Sequence, residues 1–249
     1  AAGRIGTGVV AKSDPDGHTL LVSTESSLVI APHIGQAIGY DPLKDFAPVS
    51  LLTRNTVMLV VHPSVPAKNL QEFMALAKAK PGELFYASSG VGTVGHLVVE
   101  LVARQNGLKL THIPYNTAAF ADILAGRVPM GSFTWGAALG QLQGGTLRAL
   151  AVTTEARRPE VPGVPTFKEL GYDLVASTWF TLTGPKGLPK EIAQRLNEEV
   201  SRILSRPEIQ QRLAQEAFEP KPLTPDQLSA FMASELARWT PVAQAAATK

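Results

Sequence analysis

The stretch Leu84-Phe85-Tyr86-Ala87-Ser88-Ser89-Gly90-Val91-Gly92-Thr93-Val94-Gly95-His96 constrains this chain more than any other. A short β-prone run (Leu84, Phe85, Tyr86) enters a small, hydroxyl-bearing, glycine-rich loop. The loop feeds an amphipathic helix with apolar residues at Leu97, Val98, Leu101 and Val102. A strand–loop–helix turn of this kind aims the N–H groups of the helix start at whatever occupies the loop, and those groups and the helix dipole favour an anion. Gly90 and Gly92 let the backbone come close, and Ser88, Ser89 and Thr93 add hydroxyl donors. The segment reads as an anion-holding loop; the plainer reading is a turn that only joins strand to helix.

Gly90-Val91-Gly92-Thr93-Val94-Gly95 also satisfies G-x-G-x-x-G, so the alternative function is an NAD-type dinucleotide-binding oxidoreductase. That mechanism needs an acidic residue about 20 positions on, at the end of the next strand. The next strand, Leu110-Thr111-His112-Ile113, runs into Pro114-Tyr115-Asn116 without a carboxylate. Half of the dinucleotide mechanism is therefore absent.

Composition excludes several other classes. The 23 basic and 21 acidic residues are interspersed and leave a net charge of +2, so nothing electrostatic favours nucleic acid as a partner. There is no cysteine, which removes disulfides, thiolate metal sites and a cysteine nucleophile together. The five histidines lack ligand spacing and are expected to be structural or surface residues; neither a metal nor a cofactor is expected. No G-x-S-x-G nucleophile elbow occurs, and Glu198-Glu199 falls on an expected surface helix, so no catalytic residues are assigned. No run of 18 apolar residues occurs, and no signal peptide is visible, although a mature chain would have lost one.

Strands and helices alternate along the chain. Strands are expected at Leu20–Val22, Val57–Val61, Leu84–Tyr86, 110–113, Met130–Phe133, Leu147–Val152 and Val175–Leu182. Helices are expected at Asn69–Lys80, after Gly92, at 118–125, from Ala137, and three times between Lys190 and Gln244. This alternation predicts a mainly parallel α/β sheet with ligands at the carboxyl ends of strands. Two clusters separated by the crossings at Val57–Val61 and Val175–Leu182 suggest two lobes around a cleft.

Ordered segments along nearly the whole chain resemble the substrate-binding proteins of tripartite tricarboxylate transport systems, the TctC or Bug (Bordetella uptake gene) family. They include Pro15-Asp16-Gly17-His18-Thr19-Leu20-Leu21, Tyr40-Asp41-Pro42-Leu43-Lys44-Asp45-Phe46-Ala47-Pro48-Val49 and His62-Pro63-Ser64-Val65-Pro66-Ala67. Tyr86-Ala87-Ser88, Gly92-Thr93, His96-Leu97, His112-Ile113-Pro114-Tyr115 and Leu147–Thr153 continue the pattern, as do Val164-Pro165-Thr166, Ser177-Thr178-Trp179, Pro189-Lys190-Glu191-Ile192 and Arg195-Leu196-Asn197.

The resemblance implies an α/β, two-lobed type II periplasmic-binding-protein fold, a Venus flytrap. Residues 1–59 and 177–249 would form lobe 1 and residues 60–176 lobe 2, with the cleft between them. The family begins with a strand, a proline- and glycine-rich loop and a helix before the point matching Ala1, so this chain is expected to lack that first strand–loop–helix. The implied protein is a periplasmic, monomeric receptor, not an enzyme, that closes on a small organic carboxylate and delivers it to integral-membrane permease subunits.

By the same resemblance the ligand-binding residues are Thr24, Glu25 and Ser26 in one loop, and Ser88, Ser89, Gly90, Gly92, Thr93 and Val94 in another. Tyr115, Phe133, Thr134 and Trp179 complete the set. Family members commonly carry a small polar residue at Glu25, Asn at Val91, serines at Val94 and Gly95, and Asp at Phe133. Val91, Val94, Phe133 and the neighbouring Trp135 either make the pocket unusually apolar, favouring an aromatic or medium-chain monocarboxylate, or point into the lobe cores. Glu25 either meets the ligand or is simply solvated.

Overall fold

The computed structural model describes residues 3–34, 38–115 and 119–247. In chain order the elements are α1 (Arg4–Val10), β1 (Leu21–Thr24), β2 (Phe46–Val61), α2 (Leu70–Ala79), β3 (Phe85–Ser88), α3 (Val94–Gln105) and β4 (Thr111–Pro114). There follow α4 (Ala119–Leu124), β5 (Met130–Thr134), α5 (Trp135–Gln143), β6 (Arg148–Val152), β7 (Ser177–Pro185), α6 (Lys190–Leu204), α7 (Pro207–Gln215), β8 (Phe218–Pro220) and α8 (Pro225–Ala247). The helix expected over 118–125 is α4; position 118 lies outside the described residues, as does Asn116. Among the described residues, no helix is long and apolar enough to cross a membrane.

The chain divides into two compact units, residues 1–55 with 178–249, and residues 56–177. The division falls inside β2 because its partners change there. Thr53–Asn55 pairs with β8, whereas Val57–Val61 pairs with β5 and β6.

In the first unit, β1 runs antiparallel to β7, with Leu21 opposite Thr183 and Thr24 opposite Phe180. A π-turn over Ser26–Ile30 follows β1 and is buried along its whole length, with α8 packed on it. Leu28, Val29, Ile30, Leu51, Trp179, Leu228 and Trp239 are all buried here. A reciprocal capping box starts α8: Thr224 Oγ1 accepts the Gln227 N–H at 3.3 Å, and Gln227 Oε1 accepts the Thr224 N–H at 3.0 Å.

In the second unit, the continuous apolar run Val57–Val61 is buried in the sheet, between β5 and β6. β3 pairs in parallel with both β4 and β5. Asn69 caps α2 by accepting the Glu72 N–H at 2.8 Å, and Leu70, Phe73 and Ala77 form its buried face. The expected amphipathic α3 is instead covered on almost every side, with Val94 through Glu100 all buried.

The expectation of a mainly parallel sheet is corrected. β2 runs antiparallel to β5, β6 and β8, and β1 antiparallel to β7, while among the described strands β3 pairs in parallel with β4 and β5. Parallel neighbours need a helical crossover, and the strand–helix units from β3 to β5 supply it. β2 arrives from the other unit and runs against the strands that those crossovers align. Val57 lies opposite Thr134 at the crossing end of this sheet, so the carboxyl ends of β5 and of its parallel neighbour β3 lie at that end too.

Candidate ligand-binding site

The Ser88–Thr93 loop leaves β3 at the crossing end of the second unit. Gly90 at φ 133° and Gly92 at φ 78° adopt backbone conformations that other residues rarely hold. Thr93 is the N-cap of α3: its Oγ1 accepts the His96 N–H at 3.4 Å and donates to the Gly90 carbonyl at 2.9 Å. Ser88 is fully buried, accepts the Gly90 N–H at 3.2 Å, and its Oγ lies 2.7 Å from His112 Nε2. The Gly92 N–H donates to His96 Nδ1 at 3.3 Å. The Ser88 and Thr93 hydroxyls therefore hold the loop itself. The N–H groups of Val94 and Gly95, in the first turn of α3, have no carbonyl four residues back within the helix. Ser89 and Val91 are exposed at the loop's tip.

Sequence reasoning missed the layer behind this loop. Tyr86 and Ser88 share one face of β3, the register places His112 opposite Tyr86, and α3 lays His96 on the same face. The rings stack in the order Tyr86, His112, His96, with centroids 4.7 Å and 4.2 Å apart. The Tyr86 hydroxyl donates to Glu100 Oε1 at 2.8 Å, and burial followed by the Glu100 charge raises its pKa. The signal available in the sequence was two histidines following the glycine loop, at 96 and 112, but only the strand register brings them together.

In the first unit, Thr24-Glu25-Ser26 ends β1 beside the start of β7, again at the crossing end. Glu25 is not solvated: it is 2% exposed, and its carboxylate turns inward. It accepts the Trp179 N–H at 2.9 Å and the Ser26 hydroxyl at 3.2 Å. Burial pushes its carboxyl up to about 7 against the pull of these hydrogen bonds, and the nearby Glu235 charge adds to the rise. Thr24 is half-buried, and its carbonyl accepts the Ser27 hydroxyl.

Several of the remaining residues sit inside their own units. Trp179 is fully buried, with its indole N–H donating to Glu235 Oε2 at 3.0 Å and its ring edge-on to Phe231. Phe133 packs edge-on against Phe120, and its ring lies over Gly131, where a Cβ would meet it at 2.3 Å. Val94 is fully buried and Trp135 lies under the Arg158 guanidinium. Val94, Phe133 and Trp135 are buried within the second unit, whereas Val91 is exposed. Thr134 is half-buried at the N-cap of α5 without a side-chain cap bond. The Tyr115 hydroxyl donates to Asp122 Oδ2, which raises the phenol and lowers the carboxyl, while the Tyr115 N–H ties to the Ser88 carbonyl at 3.1 Å. Among the described residues no cluster suited to a metal occurs.

The same fold occurs in solved structures. Rpa4515 of R. palustris, solved with adipate, is 33% identical with a TM-score of 0.89, over 98% of this chain and 83% of that one. The periplasmic binding protein BugD is 28% identical with a TM-score of 0.87, over 99% of this chain and 84% of that one. Two α/β units joined by crossing strands, with an anion-type loop at a strand end, define a solute receptor of the two-lobed type II periplasmic-binding-protein class. The match to the family model described as the tripartite tricarboxylate transporter family receptor, TctC, spans residues 1–247. BugT of Bordetella pertussis is 36% identical over 253 residues, covering 100% of this chain and 78% of BugT. The chain belongs to the TctC family of receptors. Nothing in these similarities supports a dinucleotide enzyme. The third glycine of G-x-G-x-x-G, Gly95, has a packing reason of its own: a Cβ there would lie 3.0 Å from Ser132 Oγ on β5.

Proposed function

We propose that this chain is a periplasmic receptor that captures a small organic carboxylate and delivers it unchanged to integral-membrane permease subunits of a tripartite tricarboxylate-type system. The observation that carries this reading is the start of α3. Thr93 caps the helix, Ser88 and Thr93 are tied to the Gly90 backbone, and the first-turn N–H groups of Val94 and Gly95 are those an anion would meet. In the second unit the residues that would meet the ligand are Ser88–Val94, Tyr115 and Thr134; in the first unit they are Thr24–Ser26.

The energetics suit a carboxylate. Hydrogen bonds to a charged group contribute about 1.5–3 kcal/mol each. A helix N-terminus adds about 0.3–1 kcal/mol, rising to ~2 when partly buried. Two amides and the dipole thus supply a large part of the roughly 8 kcal/mol that micromolar binding requires. Adipate, bound by a relative 33% identical, is a reasonable first candidate.

Thermal stabilisation across a panel of mono-, di- and tricarboxylates, with NAD as control, tests the reading. A ligand at a hundredfold excess over its Kd stabilises the native state by about 2.7 kcal/mol. At least one carboxylate should raise Tm while NAD leaves it unchanged; a response to NAD and to no carboxylate overturns the proposal.

A further inference from the structure

The stack Tyr86–His112–His96 lies behind the glycine loop, with the Tyr86 hydroxyl bonded to Glu100. What the two imidazoles add is a pair of nitrogen atoms, and both reach the glycine loop. His96 Nδ1 accepts the Gly92 N–H at 3.3 Å, and His112 Nε2 lies 2.7 Å from Ser88 Oγ, the atom that also accepts the Gly90 N–H. We propose that His96 and His112 are positioning residues for carboxylate capture: stacked 4.2 Å apart behind the loop, they fix Gly92 and Ser88 and so set the direction of the first-turn amides of α3.

The physical need is specific to this loop. Two glycines in left-handed or rarer conformations, Gly90 and Gly92, give the backbone many alternatives when it is untied. Ordering such a loop at the moment of binding would subtract from affinity, whereas a loop already held loses little. The stack is itself anchored. His112 lies in register opposite Tyr86, and the Tyr86 hydroxyl is held by Glu100, one turn along α3 from His96. The Gly92 bond also requires His96 Nδ1 to carry a lone pair rather than a proton. This inference rests on the carboxylate-receptor reading for its consequence, but the geometry of the loop can be measured without any ligand.

The test uses the whole chain with His96→Asn, His96→Leu, His112→Gln and His112→Leu. Asparagine keeps an acceptor near the Nδ1 position and glutamine keeps a polar atom near Nε2, whereas leucine keeps only volume. The ¹⁵N spectrum of the unsubstituted protein should show His96 Nδ1 unprotonated at neutral pH, and the Gly92 amide should exchange slowly. His96→Leu should lose that protection and weaken adipate binding about tenfold, the scale of one lost hydrogen bond, with helix content unchanged. His96→Asn should recover both, and His112→Gln should exceed His112→Leu in affinity. A protonated Nδ1, or a Leu variant matching Asn in exchange and affinity, overturns the proposal. Should His96→Leu fail to fold, the ¹⁵N spectrum and the His112 pair decide. If adipate and every other carboxylate fail to bind the unsubstituted protein, the receptor reading falls, while the exchange and ¹⁵N data still decide the role of the histidines.

Discussion

The backbone N–H of Trp179, at the start of β7, donates to Glu25 Oε2 at 2.9 Å, at the end of β1, and so joins two strand ends through a buried carboxylate. Glu25 ordinarily titrates at 4.5 and is pushed up to about 7, chiefly by burial. Below 4.5 the carboxyl is protonated in folded and unfolded chains alike, and no penalty arises. Between 4.5 and about 7 the folded state holds the extra proton, so stability falls as pH rises through that window and stays lower above it. At 1.36 kcal/mol per pKa unit the loss amounts to about 3 kcal/mol. Glu25→Gln should flatten this slope and be more stable than the parent at pH 8, as measured by urea unfolding at pH 5 and pH 8. An unchanged slope in the variant would mean that another group is responsible.

Thr93 holds α3 and the loop through separate bonds to His96 and Gly90. Thr93→Val removes both and should lower stability by about 1 kcal/mol, the usual scale of an N-cap. It should also weaken carboxylate binding measured by calorimetry, and Thr93→Ser should restore both. A Val variant with parental stability and affinity would remove the cap from the account of the site.

Phe133 packs edge-on against Phe120 of α4, with its ring over Gly131 of β5. Phe133→Leu should cost roughly 1–2 kcal/mol of stability through lost packing while leaving the Kd for a bound carboxylate unchanged within twofold. A large loss of affinity with stability intact would place the ring against the ligand.

Trp179 and the other two tryptophans, Trp135 and Trp239, are each at most 2% exposed. Emission should be blue-shifted and poorly quenched by iodide. The partners of Trp179, Glu235 and Phe231, lie within its own unit, so Trp179→Phe should keep any ligand-induced fluorescence difference of the parent. Disappearance of that difference in the variant would show that Trp179 senses the ligand.

Much of the architecture was legible in the residues because it rests on local chemistry. The β-prone run before Ser88, the glycines at 90 and 92, and Thr93 ahead of an apolar period set a strand, a loop and a capped helix from neighbours in sequence alone. The proline and glycine stops likewise marked α2, α6, α7 and α8. Strand direction was not legible, because Val57–Val61 carries the same apolar pattern whether its partner runs with it or against it, and here β5 and β6 both run against it.

The sequence by itself determined the family, the alternating elements and an anion-suited turn at the start of α3, since capping, glycine conformation and hydrophobic period act over a few residues. Tertiary structure decided where the side chains face and which donors remain. Register set His112 opposite Tyr86 and within reach of Ser88, so a hydroxyl that read as a ligand donor is tied behind the loop. The turn of the chain after β1 carried Glu25 inward to Trp179, where loss of water, which no spacing of residues records, raised its pKa. The Ser88–His112 tie spans 24 positions and the Glu25–Trp179 bond 154, and only the folded chain brings such residues together.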